Sequence, residues 1–457
     1  MKNSILPLIL LLLLPLGATA ATRPNIVFIL IDDMGAADGG CFGSRYYHTP
    51  HLDQFAKESV RFTQAYASCA VCSPSRAAIL TGKAPARLHI TDWIPGEKES
   101  SKNRLRLTDW QKSLPLSETT IAAALKPLGY ATASIGKWHL GEGRSPLDFG
   151  FDINIAGGAT GQPASYFWPY GKEGQPHLVP GLAATGGGPG EYLTDRLTDE
   201  ALRFIESHRA KPFFLYLAHY AVHSPFMGKK EEVEEASKQP PADGQGNAVY
   251  SAMLRSVDDS VGRILEKLKA LHLYENTIVV FTSDNGGVVH IGTPPATANG
   301  PLRMGKGFPY EGGLRVPLLM KVPGAARGAT CDTPVISHDF YPTFMELVGA
   351  PPADHTIDGV SFASAFRGSR ESIHDGLFWH YPHYWFRSKV SPYSVAHVGD
   401  WKLIRFYEDN HEELYNLRSD PSEREDLAAS HPEERRRLGV RLDRWLKEMG
   451  AQMNQPR

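Results

Sequence analysis

Cysteine is scarce: the 457 residues hold four, Cys41, Cys69, Cys72 and Cys331. That excludes a scaffold stapled by several disulfides. An excess of one charge is also lacking. Forty-eight Lys and Arg stand against fifty Asp and Glu, a formal net charge of −2. There is no basic field of the kind that gathers nucleic acid, and no long acidic tail. Beyond the N-terminus no apolar run is long enough to cross a bilayer, so no transmembrane segment is expected. No internal repeat is visible, which argues against a solenoid or a propeller. A chain of this length can bury a large core in one big domain or two.

The one concentrated apolar stretch opens the chain. Lys2 supplies charge, Ile5 to Leu16 the apolar run, and Ala18-Thr19-Ala20 an A-x-A cleavage site. Residues 1–20 therefore read as a signal peptide, with export to the periplasm or the medium. No Cys follows the run, so a lipoprotein anchor is not expected.

Asn25 to Ile31 is an almost unbroken β-branched and aromatic run, suited to a strand buried on both faces. It ends in Asp32-Asp33, which alone reads either as a solvated turn or as a carboxylate pair for a cation. Thr49 to Phe62 has helical spacing, and Leu116 to Gly129 carries a second helix with Ser117 as its cap. Tyr130 to Ile135 reads as a strand that opens into Gly136-Lys137-Trp138-His139-Leu140-Gly141. Leu193, Leu197, Phe204 and Ile205 mark an amphipathic helix. Pro212 to Ala218 is another strand, followed by His219 and His223. A charged linker is expected from Lys229 to Asn247, and a long helix from Tyr250 to Leu271. Thr277 to Thr282 is a strand that ends in Ser283-Asp284-Asn285-Gly286. A Gly-rich loop with Arg303 and Lys306 follows, then a strand over Leu318 to Val322 and a helix over His338 to Val348.

This alternation predicts an α/β fold with a large, mostly parallel central sheet and helices on both faces. Ligands of such sheets bind beyond the carboxyl ends of the strands. Asp32, Asp33, Lys137, His139, His223, Asp284 and Asn285 each fall just past an expected strand end. That shared placement is the argument that they meet. From about Glu371 the chain changes character. Leu377 to Tyr384, Trp401 to Tyr407 and Glu413 to Leu417 read as short strands, closed by a helix from Glu433 to Met449. The expected division is a main domain over 21–370 and a smaller C-terminal α+β subdomain over 371–457. Residues 156–190 are rich in Gly and Pro and carry Tyr166, Phe167, Trp168 and Tyr170. That cluster is either a sugar-stacking platform or the loop's own small core.

Residues 72–82, CSPSRAAILTG, have a logic of their own. Ser73 can cap a helix, Pro74 suits its first turn, and Gly82 ends it. Cys72 then lies just before a helix N-terminus, which favours anions, and Arg76 adds a charge one turn on. A thiol placed there is expected to be acidic and reactive. A partly buried Cys before an ordinary capped helix is the plainer alternative.

Cys-Ser-Pro-Ser-Arg followed by Leu80-Thr81-Gly82 resembles the signature of the type I, formylglycine-dependent sulfatases of the alkaline phosphatase-like superfamily. Asp32-Asp33, Gly136-Lys137-Trp138-His139, His223-Ser224-Pro225, Ser283-Asp284-Asn285-Gly286, and Lys306 ahead of Tyr310-Glu311-Gly312-Gly313 appear in that family's order. The resemblance covers nearly the whole mature chain and extends to bacterial carbohydrate sulfatases. It implies the alkaline phosphatase-like fold. It also implies that Cys72 is oxidised to formylglycine (3-oxoalanine) by a separate formylglycine-generating enzyme. A cation, Ca²⁺ or else Mg²⁺, would be held by Asp32, Asp33, Asp284, Asn285 and the modified Cys72, an oxygen set that suits a hard ion. Arg76, Lys137 and Lys306 would offset the carboxylates and attract sulfate.

The chemistry implied by the resemblance is attack on sulfur by one hydroxyl of the hydrated aldehyde. Lys137, Lys306 and His223 would stabilise the sulfuryl group, and His223 with Lys306 would supply the proton of the departing alcohol. His139 would take the proton of the second hydroxyl as sulfate is expelled. Arg76 would orient the modified side chain, and Arg303 is a further substrate-binding candidate. His219 is read as a structural or substrate-contact residue, and His338, Glu311 and Arg315 as scaffold. His380 and His383 could border the cleft. The implied function is hydrolysis of sulfate esters, on sulfated glycans or polysaccharide fragments. The alternative is a phosphodiester or phosphonate monoester hydrolase on the same fold, because tetrahedral anions ask for similar surroundings. No catalytic position is substituted, so a glycan-binding protein without activity is not expected. With Cys72 modified at most one disulfide can form, and Cys41 and Cys69 could pair.

Overall fold

Asn25–Ile31 forms strand β1, and all seven of its residues are buried. The computed structural model describes residues 23–457 except 183, 184, 293, 352 and 386–389. The segment expected to be a signal peptide, 1–20, lies outside the described residues. After β1 come β2 (Val60–Phe62), β3 (Ala65–Tyr66), β4 (Leu105–Arg106), β5 (Ala131–Gly136), β6 (Ile153–Ile155), β7 (Phe213–Ala218) and β8 (Thr277–Ser283). Next are β9 (Leu318–Lys321), β10 (Ala329–Cys331), β11 (Val335–Ile336), β12 (Leu377–Tyr381), β13 (Tyr393–Val398), β14 (Trp401–Phe406), β15 (Glu412–Asn416) and β16 (Gln455–Pro456). The helices are α1 (Pro50–Glu58), α2 (Cys72–Thr81), α3 (Pro85–Leu88), α4 (Ile121–Leu125), α5 (Leu193–Ser207), α6 (Lys230–Ala236), α7 (Ala248–Ala270), α8 (Glu311–Leu314), α9 (Phe340–Leu347) and α10 (Pro432–Met449).

The central sheet has eight strands in the order β10-β2-β9-β8-β1-β7-β5-β6. Only β9 runs against the rest; it is antiparallel to both β8 and β2. This is the expected α/β architecture. Alternate side chains of β1 feed two separate cores. Ile26, Phe28 and Leu30 pack with α2, α4 and α9 residues such as Ile79, Leu125 and Phe344. Val27, Ile29 and Ile31 pack with Phe55, Leu197 and Val257 from α1, α5 and α7. A strand apolar at every position is the physical consequence of this double burial. The C-terminal strands form a four-stranded antiparallel sheet, β12-β13-β14-β15, covered by α10.

Several expectations are corrected. The second helix starts later than read, at Ile121, and Thr120 caps it by accepting from the Ala123 N–H. Residues 229–247 are more than a linker, since α6 folds within them. β13 was not expected; Tyr393 to Val398 lacks the alternation of a half-solvated strand because all six residues are buried. Cys41 and Cys69 are free thiols, as are Cys72 and Cys331. Tyr166 and Tyr170 of the Gly-rich loop are fully buried within the second core, where Tyr166 stacks on Tyr192. For these two rings the loop's own core is the reading that holds. No helix among the described residues is long and apolar enough to cross a membrane.

Candidate active site

The carboxyl ends of β1, β5, β7 and β8 deliver one buried cluster of charge. Asp32 and Asp33 follow β1, Lys137 and His139 follow β5, His223 follows β7, and Asp284 and Asn285 follow β8. Gly136 makes the Lys137 turn possible. Its φ is +100°, and a Cβ there would lie 1.9 Å from the Ala218 carbonyl oxygen. Only glycine allows that approach, and the Lys137 N–H then donates to the same oxygen at 2.7 Å. Asp33 and His139 hold left-handed backbone, φ +61° and +59°. Strain of this kind in non-glycine residues collects where side chains must be aimed.

Lys137 Nζ lies 2.5 Å from Asp32 Oδ2, and neither side chain reaches solvent. Lys306 Nζ lies 2.6 Å from Asp33 Oδ1. Arg76, from α2, donates through Nε to Asp284 Oδ2 at 2.8 Å and through Nη1 to the Lys137 carbonyl at 3.0 Å. Asn285 donates to Asp33 Oδ1 at 2.8 Å, and the Asp33 N–H donates to Asp284 Oδ1 at 3.2 Å. His223 Nε2 lies 3.5 Å from Asp33 Oδ2, while its Nδ1 donates to the Ser224 carbonyl at 2.7 Å. Three carboxylates therefore face three permanent or paired cations.

Cys72 is the first residue of α2 and is buried. Its helix is preceded by extended Val71, and no side chain caps it. Ser73 is used otherwise. Its hydroxyl accepts from the Ile94 N–H at 3.0 Å and lies 3.3 Å from His139 Nδ1. The acidic thiol expected from the helix start is not found. Burial pushes the Cys72 thiol up, although Lys137 and Lys306 pull it the other way. Desolvation outweighs the helix terminus here.

Burial also pushes the Asp32 carboxyl up to about 8, over the pull of Lys137. Burial acts to raise Asp33 as well, but Lys306 and His223 outweigh it and hold that carboxyl below the usual range. Burial and Lys306 push His223 down to about 3. Burial and the Lys137 ammonium hold His139 well below the ordinary imidazole value. Asp32 Oδ1 and Asn285 Oδ1 are buried without a hydrogen-bond partner. Orphaned oxygens beside buried carboxylates are what a hard cation would satisfy. The donor set fits Ca²⁺ or Mg²⁺. Ligand atoms of Asp32, Asp33 and His223 lie within 4.8 Å of one another.

The other sequence candidates lie elsewhere. Arg303 lies 3.8 Å over the Tyr310 ring and donates to Tyr415 and to the Glu423 carbonyl, in the packing against the C-terminal sheet. His219 meets Ser260 of α7 and is fully buried. His338 bonds Ser68, and Glu311 pairs with Lys402. His380 and His383 are buried against Ser394 and Thr91. Sequence reasoning took Ser73 only as a cap and missed Ile94 and Gly161, which lies against the His139 ring. Ile94 grips the Ser73–His139 pair from both ends of its residue, because its carbonyl also accepts from His139 Nε2 at 2.5 Å. No local pattern could link positions this far apart.

The sulfatase family profile matches residues 24–350. This chain belongs to the sulfatase family. A second profile, the C-terminal region of N-sulphoglucosamine sulphohydrolase, matches residues 303–452 of this sulfatase-family chain. Human N-acetylgalactosamine-6-sulfatase is 34% identical over 372 residues, which cover 76% of this chain and 66% of that protein, just short of two thirds. A protein of Formosa agariphila named only as a sulfatase is 32% identical over 516 residues, covering 95% of this chain and 92% of its own. The crystal structure of Ps i-CgsB superposes with a TM-score of 0.77 at 30% identity, covering 93% of each chain. The fold is thus the alkaline phosphatase-like fold of the sulfatases.

Proposed function

We propose that this chain is an exported sulfatase that hydrolyses sulfate esters on sulfated glycans, with Cys72 matured to formylglycine by a separate enzyme. The observation that carries the reading is the buried cluster at the start of α2. Asp32, Asp33 and Asp284 are matched there by Arg76, Lys137 and Lys306, with two orphaned oxygens left over. A divalent cation, a singly charged sulfate ester and one ionised nucleophile together add no net charge to that balance. The glycan part draws on the human relative's name and on a complex of Ps i-CgsB with k-i-k-neocarrahexaose. Residues 21–370 would carry the site, with 371–457 as a supporting subdomain.

Asp32, Asp33, Asp284 and Asn285 would hold the cation, with the modified Cys72. When bound, that ion would polarise the sulfate oxygens and favour the ionised nucleophile. The hydrated aldehyde at residue 72 would supply both the attacking oxygen and, as it re-forms, the release of sulfate. The remaining roles fall to side chains of the chain itself. Lys137 and Lys306 stabilise charge on the sulfuryl oxygens. Lys306 is held protonated beside Asp33 and is the proton store for the departing alcohol. His223 has Nδ1 committed to the Ser224 carbonyl, so Nε2 is the nitrogen that can pass the proton on. His139 donates from Nε2 to Ile94, which leaves Nδ1 unprotonated, with a lone pair to accept a proton next to residue 72. Arg76 ties α2 to Asp284 and so fixes where residue 72 points.

The test is sulfate release from a panel of sulfated mono- and oligosaccharides, with phosphate mono- and diesters as controls, after peptide mass has confirmed conversion of Cys72. Sulfate release by the converted protein, lost by about a thousandfold or more in Cys72→Ala, is the expected result. Release of phosphate without sulfate would move the chain to the phosphodiester or phosphonate class.

A further inference from the structure

One strip rich in positive charge is not used by the chemistry above. β4 and β16 form a two-stranded antiparallel ribbon in which Gln455 pairs with Arg106 and Pro456 with Leu105. The pairing continues one step further, where the Arg457 N–H donates to the Arg104 carbonyl at 3.0 Å. Side chains alternate along a strand, so Arg104 and Arg106 share one face with Gln455 and Arg457, and Leu105 turns inward. All four residues of that face are exposed. Arg457 and Arg104 are thus like charges directly opposite each other, offset in part because the Glu408 carboxylate accepts from the Arg104 N–H at 3.3 Å. Arg457 has Glu99 at 2.6 Å. Among the described residues no carboxylate lies in ion-pair range of Lys98, Lys102, Arg104 or Arg106.

The ribbon is tied to the rim of the buried cluster from two sides. Its own chain runs back to Ile94, whose carbonyl holds His139, and Lys112 Nζ donates to the adjoining Pro95 carbonyl at 2.9 Å. From the other side, the Leu105 N–H donates to Tyr384 Oη at 3.1 Å. The next residue, Trp385, lies over Gly307, where a Cβ would come within 2.6 Å of the indole. Gly307 adjoins Lys306.

We infer that the β4–β16 ribbon is a docking surface for a polyanionic sulfated polysaccharide, which its arginine face engages while one sulfate enters the cluster beyond Ile94 and Lys306. The inference rests on the sulfatase reading for the identity of the polymer, and on charge and position for the surface itself. Binding of this kind is read from guanidinium contacts to sulfate and weakens as salt rises.

Full-length chain carrying Cys72→Ala, which does not turn substrate over, is titrated with dextran sulfate and with dextran. Dextran sulfate binds in a salt-dependent way and dextran does not. Arg104→Gln/Arg106→Gln weakens dextran sulfate binding by about tenfold, and Arg104→Lys/Arg106→Lys restores most of it. With Cys72 intact and converted, the Gln double variant releases sulfate from a monosaccharide sulfate at the parental rate and from a long sulfated chain more slowly. Undiminished dextran sulfate binding by the Gln double variant would overturn the proposal. So would tighter binding of single-stranded DNA than of dextran sulfate. If no chain releases sulfate from any ester yet the double variant still loses dextran sulfate, the ribbon stands and the catalytic reading fails.

Discussion

Gly161 covers His139 so closely that a Cβ built on it would lie 2.5 Å from both Cε1 and Nε2 of the ring. Its backbone is free of left-handed strain, so Gly161→Ala should fold. The added methyl must push the imidazole off the Ile94 carbonyl. A displacement near 1 Å of a group that moves a proton can lower the rate by about a hundredfold. The expected outcome is that loss in kcat on a sulfate ester, with a change in unfolding free energy below about 1 kcal/mol. A kcat within threefold of the parent would show that His139 is not positioned through its ring contact. Residues of this kind were illegible in the sequence. The charged residues at strand ends could be read because each follows an apolar run, whereas the contacts of Gly161 and Ile94 arise only from tertiary packing.

At the scale of elements, strands were easier to read than helix starts. β1, β7 and β8 are buried on both faces, so their sequences are continuous apolar runs with sharp ends. A cap is decided by one hydrogen bond, and several hydroxyl residues compete for it. Before α4 the chain offers Ser117, Thr119 and Thr120. Thr120 wins because its fully buried hydroxyl both accepts from the Ala123 N–H and donates to the Phe149 carbonyl at 2.6 Å. Thr120→Ala should cost about 1–2 kcal/mol, and Thr120→Ser should recover most of it. Ser117→Ala should fall within about 0.5 kcal/mol of the parent. Chemical denaturation of the three variants checks the assignment. Ser73 shows the same competition at α2: it was read as a cap, but its hydroxyl is taken by Ile94, 21 residues away.

Across the whole molecule, the C-terminal sheet is joined to the main body by buried polar clamps as well as by apolar contact. Lys402 of β14 pairs with Glu311 of α8 and with Glu423, all with almost no exposure. Tyr381 of β12 donates to Asp92 at 2.8 Å, in the loop that carries Ile94. His374, just before β12, lies 2.8 Å from Asp339, which in turn accepts from the Ile336 and Val360 N–H groups. Burial opposes a charge on His374, but the Asp339 carboxylate outweighs it and raises the imidazole above its ordinary value. A group raised on folding binds its proton more tightly in the folded state. Its contribution is then complete below the unfolded value of 6.5 and is lost as pH rises through the folded value. The stability difference between the parent and His374→Gln should therefore be largest near about pH 6 and shrink steadily towards about pH 9. Denaturation of both proteins across that range gives the comparison. A difference that stayed flat would mean His374 is neutral in the folded chain and its bond to Asp339 is an uncharged one. A difference that grew with pH would reverse the sign and remove the clamp from the account of how the two sheets are held together.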